Sequence, residues 1–239
     1  MQLKSDQLAA HLAKGCRPLY ILHGDELLLA QEAADAIRAA ARQSGCEERE
    51  VFVVGGAHYD WSAVLGAARS MGLFAQGKIV EIRIPSGKPG KDGAQALQAY
   101  CEHLPEGVVT LVVLPRLDGT ALKSGWFQAL DAAGVQIRLE PVDRGALPGW
   151  IAQRLAAQGQ RVQEGPEGAS TLAYFAERVE GNLLAAHQEV LKLGLLHPPG
   201  VLSQEQVEAA VLDVARYDVR QLCEAVFGGQ VGRSLVILD

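Results

Sequence analysis

The sequence predicts an α/β fold with a mostly parallel sheet, followed by a smaller domain made only of helices. Short apolar runs alternate with helical patterns over residues 1–140, which is the order expected of a parallel sheet with helices on both faces. Beyond Pro141 the apolar residues recur at helical spacing alone. Aromatic residues make up only 5% of the chain, which favours helices packed on a buried sheet over an all-β sandwich.

The elements of the first domain can be predicted in chain order. A helix begins after Ser5 and ends at Gly15, because serine is a common helix cap and glycine a common stop. The following elements are strand 18–22, helix 27–44, strand 51–54, helix 61–71, strand 78–84, helix 94–103, strand 108–114, helix 126–133 and strand 135–139. The run 108–114 is apolar enough to lie at the centre of the sheet. The last strand leads to Glu140 and Pro141, where we place a domain boundary.

The second domain is predicted to contain helices only. They span 148–158, 167–179 and 182–196, and a shorter one follows Ser203, which forms a capping-box pattern with Gln206. A further helix starts near 218, breaks at two glycines and resumes at 234–239. Because the sequence stops inside an apolar run, we expect a longer protein whose C-terminal part is missing here.

Composition narrows the class of function. The 239 residues are 49% apolar and carry a net charge of −6, so a strong nucleic-acid surface on this chain alone is not expected. Neither an apolar signal core nor a run of about 18 apolar residues occurs, which predicts a cytoplasmic protein that does not contact a membrane. The four cysteines are far apart, so we predict buried thiols and no metal site. They are Cys16, Cys46, Cys101 and Cys223.

The turn after the first long apolar strand is the position where a nucleotide-binding α/β domain carries its phosphate loop. Such a loop needs several glycines, a lysine and a serine or threonine. Here the turn reads His23-Gly24-Asp25-Glu26, whose two carboxylates would repel phosphate. We therefore predict no ATP binding, no cofactor and no catalytic residue, with Asp25 and Glu26 in the first turn of the next helix and His23 in a structural role.

Two adjacent apolar residues, Leu73 and Phe74, stand between the helix 61–71 and the strand 78–84. Gly72 is expected to end that helix, which places both side chains in a short turn. The local pattern alone leaves two interpretations open. Leu73 folds back on the end of the helix as a hydrophobic cap, or the pair projects into a pocket on another protein.

Several segments, in the same order over nearly the whole chain, resemble the delta subunit of the bacterial DNA polymerase III clamp loader. They are Leu-Tyr-Ile-Leu-His-Gly-Asp-Glu-Leu-Leu-Leu at 19–29, Met-Gly-Leu-Phe at 71–74, Trp-Phe at 126–127, Leu-Pro-Gly-Trp-Ile at 147–151 and Glu-Gly-Asn-Leu-Leu at 180–184. Each segment alone is modest, whereas the combination is specific to this family.

The resemblance implies three domains. Residues 1–140 would form an AAA+-like (P-loop-type) α/β domain without a phosphate loop, 141–213 a three-helix lid, and 214–239 the start of a truncated helical collar. Leu184 stands near the place where active relatives carry an arginine that senses the γ-phosphate. We predict that the core of the lid contains Leu183, Leu184, Val190 and Leu191.

The resemblance also implies a function without an enzyme activity in this chain, although the family carries the name of the polymerase holoenzyme. Met71, Leu73 and Phe74 match the apolar tip that binds the sliding clamp and opens its ring. The implied partners are the clamp (beta subunit), the gamma/tau and delta prime subunits, and primer-template DNA reached mainly through the assembled complex. Two alternatives remain: a divergent ATP-binding AAA+ protein, and an unrelated α/β adaptor in which Leu73 and Phe74 pack inward.

Overall fold

The computed structural model describes residues 1–56, 59–70, 77–211 and 219–238. The chain divides into two compact units, Met1–Glu140 and Pro141–Asp239. The second predicted boundary, at 213/214, lies outside the described residues, so the division into three domains stays a prediction.

The first unit is built on one six-stranded sheet. Its strands are β1 (Gln2–Lys4), β2 (Leu19–Gly24), β3 (Cys46–Val53), β4 (Gly77–Arg83), β5 (Val108–Leu114) and β6 (Val135–Leu139). They lie in the order β1-β6-β2-β5-β4-β3, and all five neighbouring pairs are parallel. The predicted α/β class is therefore confirmed. We call the side where the strands begin the amino edge and the side where they end the carboxyl edge.

Six helices accompany this sheet in the described part of the first unit. They are α1 (Leu8–Leu12, after a 3-10 turn at Ser5–Gln7), α2 (Leu27–Gln43), α3 (Trp61–Arg69), α4 (Gly90–Glu102), α5 (Gly119–Leu122) and α6 (Gly125–Ala133). Apolar residues of α1 and α2 form one core with the first face of the sheet. Those of α3, α4 and α6 form a second core with the opposite face. Strands β2 and β5 are buried on both faces, which explains their continuous apolar sequences.

Some boundaries of the first unit differ from the prediction. Strand β1 and helix α5 are too short to leave a clear pattern in the sequence. Strand β3 begins at Cys46 rather than at 51, because its charged first half lies on the exposed edge of the sheet and needs no apolar pattern. Helix α4 begins at Gly90 rather than at 94, directly after Pro89 at its cap.

The second unit contains six helices and two short strands within the described residues. They are α7 (Leu147–Ala157), β7 (Gln160–Val162), α8 (Pro166–Val179), α9 (Leu183–Leu196), β8 (Gly200–Leu202), α10 (Gln204–Ala210), α11 (Val219–Phe227) and α12 (Val231–Leu238). The prediction of helices only was wrong, because β7 and β8 pair in parallel through three residues each. The predicted capping box of Ser203 and Gln206 is present at the start of α10.

The core of the second unit also corrects one prediction. Leu183 and Val190 are buried as predicted, but Leu184 and Leu191 are exposed on the surface of α9. The apolar face of this helix is wider than the part that its neighbours cover, and sequence alone does not show where that cover ends. No helix among the described residues is both long and apolar enough to cross a membrane.

Candidate functional site

Strand β2 reaches the carboxyl edge at Gly24, where the backbone leaves no room for a side chain. Gly24 has φ +148°, and a Cβ atom placed on it would lie 1.9 Å from the carbonyl oxygen of Leu139 in β6. Only glycine adopts this conformation without strain. The turn that would hold a phosphate is thus packed directly against the neighbouring strand.

The two carboxylates that follow Gly24 serve the protein's own backbone. Asp25 accepts a hydrogen bond from the backbone N–H of Arg116 at 3.2 Å. Glu26 caps α2 and accepts from the backbone N–H of Leu28 at 3.4 Å. Burial raises the pKa of Glu26, and the hydrogen bond from Leu28 opposes that rise. An anion is therefore already present at the helix end where a phosphate would bind.

His23 lies beside this turn in a structural environment. Its ring Nε2 is 2.6 Å from the amide nitrogen of Gln136, and its ring meets Phe127 edge to face. Burial, with a further contribution from Arg138, lowers the pKa of His23. An amide nitrogen only donates, so the neutral imidazole accepts this bond, and His23 acts as part of the core.

The thiols and carboxylates do not form a metal centre in the part of the chain that the structure describes, where no cluster of three or more His, Cys, Asp or Glu occurs. All four cysteines are free. Burial raises the pKa of Cys101 to about 11. The prediction of buried thiols holds for Cys46 but is wrong for Cys223, which is exposed on α11.

The predicted clamp-binding residues Met71, Leu73 and Phe74 lie outside the described residues. The structure does describe the two elements that flank them. Helix α3 runs toward the amino edge and ends at Arg69, two residues earlier than predicted, and Ser70 is already extended with φ −97° and ψ 115°. Strand β4 then starts at Gly77.

Helix α3 is fixed at its start and along one face. Asp60 caps it by accepting from the backbone N–H of Ser62 at 2.9 Å and from the hydroxyl of Ser62 at 2.6 Å. These two bonds lower the pKa of Asp60. Trp61, Val64 and Ala68 are buried in the core that α3 shares with the sheet. The helix is therefore a firm support for whatever follows its end.

Lys78, the second residue of β4, connects this strand to the end of α3. Its side chain is only 3% exposed. Its Nζ donates to the carbonyl oxygens of Ala67 and Ser70, both at 3.1 Å, and forms an ion pair with Glu50 of β3. Sequence reasoning missed Lys78, and the only available signal was a lysine directly before the apolar pair Ile79 and Val80.

The first unit of the chain is therefore an AAA+-like α/β domain. In the turn after β2, where such domains usually bind phosphate, it carries the carboxylates of Asp25 and Glu26. Solved structures share the fold. The Bacillus subtilis DNA clamp loader delta protein superposes with a TM-score of 0.64 at 18% identity, covering 98% of this chain and 70% of that one. A Thermotoga maritima RuvB structure superposes with a TM-score of 0.52 at 13% identity, covering 95% and 74%.

Sequence comparisons define the family. The family model for DNA polymerase III, delta subunit, matches residues 20–140. DNA polymerase III subunit delta of Escherichia coli is 30% identical over 239 residues, which cover all of this chain and 68% of the relative. The Haemophilus influenzae protein of the same name is 27% identical over 236 residues, covering 98% and 67%. The chain belongs to the DNA polymerase III delta subunit family, so the predicted resemblance is confirmed.

Proposed function

We propose that this chain binds the DNA sliding clamp through Met71, Leu73 and Phe74, and opens the clamp ring for loading onto primed DNA during replication. Membership of the delta subunit family is the observation that carries the proposal. The two adjacent apolar residues Leu73 and Phe74 supply the chemistry, since burying a Leu and a Phe contributes roughly 1.5–3 kcal/mol each. That range is typical of an interface hot spot.

The role is one of binding rather than catalysis. A binding protein opens a ring when it binds the open form more tightly than the closed form. Because carboxylates occupy the start of α2, we propose that other subunits of the clamp loader bind ATP. The proposed partners of this chain are the gamma/tau and delta prime subunits, in a hetero-oligomer in the cytoplasm. The net charge of −6 supports contact with primer-template DNA mainly through the assembled complex.

The domain assignment is part of the same proposal. Residues 1–140 would carry the clamp-binding element, 141–213 the lid and 214–239 the start of the collar. The parallel sheet of the first unit supports this assignment, because a clamp-binding segment between α3 and β4 is then attached to a rigid framework at both ends.

The test is the affinity of the full chain for its cognate sliding clamp, compared between the native protein and the double variant Leu73→Ser, Phe74→Ser. We expect a loss of at least about 3 kcal/mol in binding free energy, roughly 150-fold, with little change in unfolding free energy. Leu27→Ser is the matched control, because Leu27 is 76% exposed at the start of α2 and its replacement should leave clamp binding unchanged.

Two outcomes would contradict the proposal. Equal clamp affinity of the native protein and the double variant would remove the assignment of the tip. Loss of folding in the double variant would support the adaptor alternative, in which both side chains pack inward.

A further inference from the structure

The side chain of Lys78 uses all of its hydrogen-bonding capacity inside the protein. An ammonium group has three donor hydrogens. Here it has three acceptors: the carbonyl oxygen of Ala67, the carbonyl oxygen of Ser70 and a carboxylate oxygen of Glu50. Burying a charge is costly unless it is paired and hydrogen-bonded in this way. The three partners therefore stabilise the buried charge and fix the position of the ammonium group.

Two of the three partners belong to the end of α3. The last carbonyl groups of a helix have no partner within the helix, and a positive charge beside them is stabilising. Lys78 meets this requirement from a different element, as a C-terminal cap supplied by β4. Its own backbone N–H donates to the carbonyl oxygen of Gly107 at 2.9 Å, which fixes the strand side of the connection.

The third partner extends the connection to β3. Glu50 lies on the edge strand and its side chain is 46% exposed, so the ion pair is open to solvent on one side. The backbone register places Glu50 opposite Val80, two residues along β4 from Lys78, on the same face of the sheet. One ammonium group thus joins the end of α3, the head of β4 and the edge strand.

We infer that Lys78 is a positioning residue for clamp binding. Its side chain holds the residue before the segment 71–76 close to the strand that follows the segment, so the separation of the two ends is set by hydrogen bonds rather than by the chain alone. Fixing a binding element before the partner arrives lowers the cost of binding. This inference rests on the proposed function, because it assigns Lys78 an effect on the same segment.

A general contribution to folding is the competing explanation, and β4 supplies a matched control for it. Glu81 is also fully buried on β4, but it lies on the opposite face of the sheet and pairs with Arg38, Arg49 and Arg83. None of these partners belongs to α3 or to the segment 71–76. Replacing Glu81 therefore removes a buried charge from the same strand without releasing the end of α3.

The experiment compares clamp affinity and unfolding free energy for the full-length native chain, Lys78→Met and Glu81→Gln. Methionine keeps most of the length of the lysine side chain and removes the charge. We expect Lys78→Met to weaken clamp binding about tenfold, the size of a typical coupling between sites, and to act mainly by slowing association. Glu81→Gln should lower stability yet leave the clamp affinity of the folded protein within about twofold of native.

A double-mutant cycle with Leu73→Ala separates positioning from stability. If Lys78 acts through the tip, the effects of Lys78→Met and Leu73→Ala on clamp binding will not add. Additive effects, or native affinity in Lys78→Met, would overturn the inference. Should Lys78→Met fail to fold, Glu50→Gln carries the test: we expect about threefold weaker binding, and unchanged affinity would overturn the inference equally.

Failure of the inference and failure of the proposed function give different results. If Leu73→Ser, Phe74→Ser binds the clamp as well as the native chain, the proposed function is wrong. If that double variant loses binding while Lys78→Met binds like native protein, the tip assignment holds and only the role of Lys78 is wrong.

Discussion

The carboxyl and amino edges of the sheet differ in what occupies their ends. At the carboxyl edge the protein's own groups fill the corner: Gly24 packs on Leu139, Asp25 binds the backbone of Arg116 and Glu26 caps α2. At the amino edge, Lys78 holds the end of α3 beside the head of β4. Ligands of open α/β sheets usually bind at the carboxyl edge. The proposed clamp-binding segment instead connects α3 to β4, whose described ends lie at the opposite, amino edge.

The comparison shows what a phosphate-binding α/β sheet needs and what this chain has at the same position. An α/β sheet binds phosphate through a glycine-rich turn and a free helix N-terminus. In this chain the turn carries one glycine and two carboxylates, while the strand and the helix on either side of it are present. In the proposed function the sheet and its helices support a clamp-binding segment instead.

The largest expected effect comes from adding a side chain at Gly24, at the carboxyl edge. Gly24→Ala would place a Cβ atom on the carbonyl oxygen of Leu139 in a conformation that alanine strongly disfavours. We expect the full chain to lose about 3 kcal/mol or more of unfolding free energy, measured by urea denaturation. Gly66→Ala is the matched control, because Gly66 lies inside α3 with no atom within 4 Å of the added methyl. Alanine there should raise stability by up to about 1 kcal/mol. A Gly24→Ala protein as stable as the native chain would show that Gly24 does not pack tightly against Leu139.

A somewhat smaller effect is expected at Glu81, between the two edges. Burial alone would raise the pKa of Glu81, but hydrogen bonds from Arg49, Arg83 and Arg38 outweigh it and hold the pKa below its ordinary value. Glu81→Gln should cost about 2 kcal/mol of unfolding free energy near pH 7, less than a fully buried pair, because Arg49 and Arg83 are partly exposed.

The pH dependence gives Glu81 a second test. A carboxyl group with a lowered pKa in the folded state stabilises the fold above its unfolded pKa and loses that contribution as the pH falls. The stability difference between the native chain and Glu81→Gln should therefore be full above about pH 4.5 and shrink below it. A difference that does not change between pH 7 and pH 3 would contradict the ion cluster.

The smallest effect is expected at Glu26. Because burial raises the pKa of Glu26, its charged form destabilises the fold slightly as the pH rises above the unfolded pKa. Glu26→Gln keeps an acceptor for the N–H of Leu28, so stability at pH 7 should change by only about 0.5 kcal/mol. The gain in unfolding free energy from Glu26→Gln should grow as the pH rises from 4 to 7.

Calorimetry with ATP and magnesium should detect no micromolar binding by the native chain or by Glu26→Gln. Such binding would favour the ATP-binding alternative.

Much of the fold could be predicted because its elements leave periodic patterns. Buried strands such as β5 read as continuous apolar runs, and α2 shows apolar residues at helical spacing. The edge strand β3 was cut short in the prediction, since charged residues on an exposed edge resemble a loop. The strands β7 and β8 could not be predicted, because three residues are too few to show a period of two.

Part of the candidate site could also be predicted. The sequence shows that His-Gly-Asp-Glu at 23–26 lacks the residue types of a phosphate loop and carries two carboxylates. The contacts of Lys78 could not be predicted. Its partners Glu50, Ala67 and Ser70 meet it only after the sheet and α3 have packed together. Long-range pairing of a single buried charge leaves no local pattern.

The most direct measurement is the affinity of the cognate sliding clamp for two double variants, one at each edge: Leu73→Ser, Phe74→Ser and Asp25→Asn, Glu26→Gln. If the clamp binds through Leu73 and Phe74, the first variant binds it at least about 150-fold more weakly than the native chain does. The second variant then binds the clamp with native affinity. Native affinity in the first variant, or an equal loss in both, would contradict this assignment.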